Sequence, residues 1–374
     1  MSKRIYTLFL ILILGLGIQP LGAQHHEGET ATETDKTKVA DEIEKEIEKE
    51  EEEFDATELI NHHLADSHDY VFELPFIHKT IHLPVILWTD KGLTVFSSGE
   101  FKGDHHGHVV VEKNGQKFVR IDDVIAYADK VDENTKPEDI TLDQRPLDFS
   151  ITKNVVSLLF TFLVLFFVMM KVKKSYDEKG IPRGVAKFLE PIIVFVRDDI
   201  AKENIGPKYE KYLPFLLTIF FFILFANLFG LIPFSPFGYN LTGNIVVTFV
   251  LAAMVFLVTN LSGNKHYWKH ILWPDDVPLL IKPFIAAIEL LGIFIKPFAL
   301  MIRLFANIFA GHTIILTFVT LIFVFKKWGV PLASGFGTVF MYISELLVAF
   351  LQAYVFTLLA AIYIGMAVKE EAHD

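Results

Sequence analysis

The chain of 374 residues contains no cysteine, which excludes disulfides, thiolate chemistry and cysteine-based metal sites. Charge is also scarce in its second half, where no charged residue occurs from Tyr212 to Asn264. A basic stripe of the kind that binds nucleic acid is missing as well, since the net charge is -11 and lies largely before residue 150. The long uncharged apolar runs are typical of membrane spans.

The first residues follow the pattern of an export signal. Lys3 and Arg4 precede an apolar run, Ile5–Ile18, and Leu21-Gly22-Ala23 forms a small-residue cleavage site. The run is shorter than the roughly 20 residues that a membrane-spanning helix needs, so we predict a signal peptide over residues 1–23. The alternative is an uncleaved first span, and whether cleavage occurs stays open. Both interpretations place the following segment outside the cytoplasm.

The exported part divides into an arm and a small domain. Residues 24–70 form an acidic arm, either a charged helix with a thin apolar stripe or a disordered segment. Residues 71–150 contain short β-branched or aromatic runs separated by turn residues such as Asn114-Gly115, which predicts a small β-rich extracytoplasmic domain. The predicted strands are Val85–Trp88, Leu93–Phe96, His108–Val111 and Lys117–Ile121.

Histidine is concentrated before the membrane part, with clusters at His62-His63, His105-His106 and His108. Histidine clusters can bind zinc or copper, but these have no regular ligand spacing. We therefore favour surface histidines over a metal site. No metal and no other cofactor is expected.

Residues 151–374 are predicted to form an all-α polytopic membrane domain with five spans. The first span, Asn154–Met170, ends at Lys171, Lys173 and Lys174, and this basic end predicts that it runs from outside to inside. An amphipathic helix follows over Val185–Ile200, which we expect to lie in the plane of the cytoplasmic membrane surface. The remaining spans are placed at Leu213–Ile232, Ile245–Leu261, Leu279–Phe325 and Gly329–Val368.

The last two spans are predicted to be long and tilted. Lys282, Glu289, Lys296 and Arg303 stand at seven-residue intervals, so they form one slowly drifting stripe along the fourth span. A helix over Leu279–Phe325 would measure about 70 Å, so it must be strongly tilted, bent near its proline or partly outside the bilayer. Five passes place the C-terminus in the cytoplasm, although Lys326-Lys327 then falls on the outer side, against the usual charge bias.

Four ionisable residues in these two spans suggest the function: Glu289, Arg303, His312 and Glu345. A charged group in the centre of a membrane costs at least about 2.5–3.5 kcal/mol, so it must face other helices or water. Arginine keeps its proton and presents a fixed positive charge, whereas histidine and glutamate can relay protons. A fixed cation beside titratable groups is the arrangement that a gated proton path needs.

Several segments resemble the subunit a family of F-type ATP synthases. Phe298–His312 reads Phe-Ala-Leu-Met-Ile-Arg-Leu-Phe-Ala-Asn-Ile-Phe-Ala-Gly-His, and its Arg-Leu-Phe-x-Asn-x-x-Ala-Gly core is quite specific. Leu351–Leu359, Asn227–Pro233 and Phe195–Gly206 are similar to further segments of that family. The resemblance covers roughly residues 150–370 and, more weakly, Ile60–His68.

The resemblance implies a stator subunit with two proton half-channels, which conducts protons to and from carboxylates of a rotor ring and couples the proton gradient to ATP synthesis. Arg303 would face the rotor carboxylates, and Glu289 would lie on the cytoplasmic half-channel. The outer half-channel would be lined by Asn307, His312, Glu345 and Gln352.

The same resemblance implies where the chain works and with what. Its partners would be the rotor ring of c subunits, the peripheral-stalk b subunits, the rest of the ATP synthase and membrane lipid, without nucleic acid. The subunit would translocate protons and would not itself be a catalytic enzyme. It would lie in the cell inner membrane, with a periplasmic N-terminal domain and a cytoplasmic C-terminus.

The sequence departs from the family pattern in two respects. Some members have Glu at the position of His312 and His at that of Glu345, so this chain exchanges the pair but keeps one acid and one imidazole. The external region is also much longer than is usual. A proton-coupled secondary transporter is the alternative function, which copurification with a ring of small subunits would exclude. A membrane-anchored sensor is a third interpretation, and the coupling ion stays open.

Overall fold

The computed structural model describes residues 66–369, apart from 75–76, 105, 133–134, 178, 233–238, 240, 275–277 and 325–328. The predicted signal peptide, nearly all of the acidic arm, His62-His63, His105 and Lys326-Lys327 lie outside the described residues. The predicted fold class is confirmed, because small antiparallel sheets precede a part of the chain with five long apolar helices.

The described residues of the N-terminal domain form three antiparallel sheets, with strand orders β1-β2, β4-β3-β8 and β5-β6-β7. The strand bounds are β1 Asp69–Leu74, β2 Ile77–His82, β3 Pro84–Thr89, β4 Gly92–Ser97, β5 Val111–Lys113, β6 Gln116–Ile121, β7 Val124–Tyr127 and β8 Leu147–Asp148. Successive side chains of a strand point to opposite faces of the sheet, and β3 follows this pattern: Val85 and Leu87 are fully buried, while Trp88 is exposed. The turn of the β5–β6 hairpin is Asn114-Gly115, and both residues have the positive φ that this dipeptide favours.

The predicted strand at His108–Val111 is wrong in position, because β5 begins only at Val111. The carboxylate of Asp104 explains the difference. It accepts hydrogen bonds from the backbone N–H groups of His106 and Val109, at 3.0 and 2.6 Å, and so holds this segment in a local turn.

A buried ion pair fixes the first strand. The guanidinium of Arg120 is fully buried and donates to a carboxylate oxygen of Asp69 at 2.7 Å. The other oxygen of Asp69 accepts from Ser98 and contacts Nδ1 of His82. Burial alone would raise the pKa of Asp69, but the hydrogen bonds from Arg120, His82 and Ser98 outweigh it and lower that pKa to about 2.

The helical part begins directly after the last strand. The longer helices are α1 Lys153–Lys174, α2 Val185–Phe195, α3 Tyr209–Gly230, α4 Ile245–Ser262, α5 Lys265–Leu272, α6 Lys282–Val324 and α7 Gly329–Val368, and a single helical turn, Glu203–Ile205, precedes α3. A π-helical turn, Val196–Lys202, extends α2, and Gly206 with φ of 76° separates it from α3. The amphipathic helix and the second predicted span are therefore distinct elements.

Helix α7 packs against α3, α4 and α6 through small residues. Ala353, Ala360 and Ala361 are almost fully buried. Gly365 lies so close to the backbone carbonyl of Asn204 that a Cβ atom there would overlap it. Small side chains let membrane helices approach closely, which explains how α7 can pack against several helices at once.

Candidate functional site

The structure brings His312 of α6 and Glu345 of α7 together inside the bundle. Nδ1 of His312 lies 3.5 Å from Oε1 of Glu345, and the two side chains are 16% and 4% exposed. This distance is longer than an ordinary hydrogen bond, so the pair is a close contact of two proton-exchanging groups and not a tight bond.

Two glycines make room for the pair. A Cβ atom on Gly311 would stand 2.6 Å from Oε1 of Glu345, and one on Gly230 would stand 3.3 Å from Nε2 of His312. Gly311 lies in α6 and Gly230 ends α3, so three helices meet at this point. Both glycines lie within segments that resemble the family, but the sequence alone did not indicate this role.

The pair helps to line a narrow crevice between α3, α6 and α7. Its lining includes Asn227, Thr242, His312 and Glu345. Thr242, in the turn before α4, donates a hydrogen bond to Oδ1 of Asn227. Asn227 and Thr242 were not predicted as site residues, although Asn227 begins one of the segments that resemble the family and both are polar within a mainly apolar stretch.

A second cluster lies farther along the same two helices. Nζ of Lys296 is 5.8 Å from the centre of the Tyr363 ring, and both residues line a crevice with Asn260 and Tyr267. The Tyr267 hydroxyl donates to Oδ1 of Asn260 at 3.3 Å. Burial raises the pKa of Tyr267, and the nearby charge of Glu289 raises it further. Glu289, which is half-buried, lies two turns before Lys296 on the same stripe of α6.

The two clusters fix the register of α6 against α7. His312 meets Glu345 and Lys296 meets Tyr363, so the helices run antiparallel. Counting along both helices from these contacts places Arg303 level with Val355 of α7, about one turn beyond Gln352, whose side chain is buried. Arg303 thus stands at a depth between the two clusters.

Arg303 and Asn307 are both exposed on α6. Their surroundings are a broad apolar surface, which we call the open face of α6 and α7. Its exposed large side chains include Leu291, Ile295, Phe298, Ile302, Phe309, Ile343 and Leu347. A guanidinium on such a face needs an anion or water, and an apolar surface of this extent is typical of contact with lipid or another protein.

The described histidines of the N-terminal domain do not form a metal centre. No group of three or more His, Asp or Glu side chains that could hold a metal occurs among the described residues. Two histidines pair instead with carboxylates: His82 with Asp69, and His68 with Asp148 at 3.0 Å. His68 is only 2% exposed, so the expectation of surface histidines is wrong for this residue.

Among the described residues, five helical segments are long and apolar enough to cross a membrane, which together with the family match below makes the chain an integral membrane protein. A family model described as ATP synthase A chain matches residues 155–365. The chain therefore belongs to the ATP synthase A chain family, and the resemblance recognised in the sequence is confirmed.

The relatives are similar over the same part of the chain. ATP synthase subunit a of Chloroherpeton thalassium is 44% identical over 234 residues, which are 60% of this chain and 69% of that protein. ATP synthase subunit a 2 of Chlorobaculum tepidum is 44% identical over 244 residues, 62% of this chain and 68% of that protein. Residues 59–149 match a separate family model, described as a domain of unknown function.

Proposed function

We propose that this chain is the stator subunit of a rotary ATP synthase, and that it conducts protons through two half-channels to and from carboxylates of a rotor ring. Membership of the ATP synthase A chain family supports the general role in proton translocation. The observation that carries the finer proposal is the buried contact of His312 with Glu345, on the same helix pair whose open face bears Arg303.

The outer half-channel is proposed to pass through the His312–Glu345 contact. Imidazole and carboxyl groups both bind and release protons near neutral pH when their surroundings are tuned, so a proton can move between them. Gln352 lies two turns after Glu345 on the same face of α7, so the proposed path continues along α7 toward the level of Arg303. Asn307, one turn after Arg303, completes this path on the open face.

Arg303 is proposed to separate the two half-channels. Its permanent positive charge favours the ionised form of a rotor carboxylate beside it, so the carboxylate gives up its proton before it passes. Arginine does not accept and donate protons under these conditions, so the same residue prevents a direct proton path between the half-channels. Its position between the two clusters along α6 supports this role.

The inner half-channel is proposed to run through the second cluster. Glu289 supplies the titratable group, and the hydroxyls of Tyr267 and Tyr363 supply neighbouring polar positions. Lys296 lies over the Tyr363 ring, seven residues before Arg303 on the same charged stripe of α6. A positive charge there lowers the chance that a proton returns toward Arg303.

The exposed faces of the helices and the basic end of α1 support the proposed partners and the proposed orientation in the membrane. The rotor ring of c subunits covers the open face of α6 and α7, and the outer face of α1 meets lipid or the peripheral-stalk b subunits. The basic end of α1, with Lys171, Lys173 and Lys174, favours a cytoplasmic position. The N-terminal domain is then periplasmic, the C-terminus cytoplasmic, and the membrane the cell inner membrane.

Cysteine cross-linking tests the rotor contact, because the chain has no cysteine of its own. Ile302→Cys places a thiol on the open face beside Arg303, and Phe162→Cys places one on the exposed side of α1. Each variant is combined with a cysteine beside the rotor carboxylate and oxidised in native membranes. We expect a cross-link with Ile302→Cys and none with Phe162→Cys. Equal yields from both, or a yield from Phe162→Cys alone, would contradict the proposal.

A further inference from the structure

The N-terminal domain holds one residue of the loop between α3 and α4. The hydroxyl of Tyr239 donates a hydrogen bond to the backbone carbonyl of Val71 in β1, at 2.9 Å. The ring of Tyr239 also contacts the ring of Tyr70, with 5.0 Å between centroids. Nζ of Lys153, at the start of α1, lies 5.8 Å from the same ring. Tyr239 is therefore held by the domain and by the adjoining helix.

The backbone of Tyr239 lies beside the outer site. A Cβ atom on Gly230 would stand 3.4 Å from the carbonyl oxygen of Tyr239 and 3.3 Å from Nε2 of His312. Gly230 thus fills a narrow gap between that carbonyl and the imidazole. The carbonyl also accepts from the N–H of Leu241, the first residue of the turn that packs against α6 and contains Thr242 of the crevice. A movement of Tyr239 would be transmitted to the surroundings of His312.

The domain offers a rigid support for this contact. Tyr70 and Val71 directly follow Asp69, whose carboxylate is locked by the buried guanidinium of Arg120. The segment just before β1 is attached to α1, because the carboxylate of Asp66 accepts from the N–H of Asn154 and from the hydroxyl of Thr152. The position of β1 is therefore fixed both by the domain interior and by the start of the first membrane helix.

We propose that the N-terminal domain clamps the outer mouth of the channel, and that Tyr239 is the positioning residue through which it sets the geometry of the His312–Glu345 pair. This inference rests on the proposed function of that pair in proton transfer. The N-terminal domain would then influence proton transfer, because the distance between His312 and Glu345 depends on the segments packed around them. Tyr342, one turn before Glu345 on α7, is a further ionisable group near the pair, and Nζ of Lys153 lies over the ring of Tyr239.

The test compares Tyr239→Ala and Tyr239→Phe in the assembled complex. Passive proton conduction is measured across neutral pH in membrane vesicles from which the soluble catalytic sector has been removed, under an imposed potential. Tyr239→Ala removes the ring contact and the hydrogen bond, so we expect conduction to fall roughly two- to tenfold and the midpoint of its pH profile to shift. Tyr239→Phe keeps the ring contact with Tyr70, remains assembled, and should give a smaller change of the same kind.

Two controls separate the possible outcomes. Tyr176→Ala, in an exposed loop beyond the other end of α1, should leave rate and midpoint unchanged. Glu345→Gln should block conduction if the proposed function is right. One outcome refutes the positioning role of Tyr239 but not the proposed proton path: Glu345→Gln blocks conduction, and both Tyr239 variants keep the wild-type midpoint of the pH profile, whatever their rate of conduction. If Glu345→Gln conducts normally, the proposed function itself fails.

Discussion

Gly311 of α6 offers a sharp way to disturb the outer site without removing an ionisable group. A methyl group at this position would stand 2.6 Å from Oε1 of Glu345 and 3.1 Å from its carboxyl carbon. The carboxylate must therefore move by at least several tenths of an ångström from its place beside His312. Alanine is favoured over glycine in a helix by about 1 kcal/mol, so Gly311→Ala should not unfold α6.

The expected effect follows from the sensitivity of proton transfer to distance. A misplacement near 1 Å can cost about a hundredfold in rate, so Gly311→Ala should slow ATP-driven proton pumping by roughly ten- to a hundredfold. The matched control is Gly292→Ala, in the same helix, where a Cβ atom meets nothing within 4 Å. Pumping is measured as acidification of inverted membrane vesicles, normalised to assembled complex. If Gly311→Ala pumps as well as Gly292→Ala, the packing of Glu345 against α6 does not matter and the reasoning fails.

Two further predictions concern the paired charges. The double exchange His312→Glu with Glu345→His should pump better than either single change, because it restores one acid and one imidazole at the contact; strictly additive losses would exclude the pairing. Asp69→Asn should lower the stability of the N-terminal domain by about 3–5 kcal/mol at neutral pH, because it leaves the buried Arg120 without its anion. Since the pKa of Asp69 is lowered to about 2, its contribution is complete above the ordinary carboxyl pKa and disappears as the pH falls toward 2. The thermal unfolding temperatures of wild type and variant should therefore converge in acid. A constant difference between these temperatures at all pH values would contradict the assignment.

The sequence predicted the helices well because each long apolar run has only one stable form in a membrane. The seven-residue spacing of Glu289, Lys296 and Arg303 also predicted their shared stripe. The slow drift of that stripe matches the structure, in which Glu289 and Lys296 are half-buried and Arg303 is exposed. Local periodicity is sufficient for such features because neighbours on one helix face are fixed by helix geometry.

Contacts between distant segments could not be predicted in the same way. Tyr239 and Val71 are 168 residues apart, and no local pattern indicates that they meet. The burial of Arg120 was also unexpected, because a charged residue in a strand is usually exposed unless a partner such as Asp69 lies inside the domain. Strands β1, β2, β7 and β8 were not identified, since the first pair lies at the edge of the predicted domain and the last two are short.

Arg303 provides the most direct test of the central claim, that an exposed fixed charge on α6 governs proton exchange with a rotor. Arg303→Ala and Arg303→Lys are compared with Arg183→Ala, an exposed arginine outside the predicted spans that pairs with Asp177. ATP-driven acidification is measured in vesicles with equal amounts of assembled complex. We predict that both Arg303 variants abolish pumping, because lysine loses the planar guanidinium and can lose its proton when buried, whereas Arg183→Ala pumps normally. Near-normal pumping by an assembled Arg303→Ala complex would contradict the account.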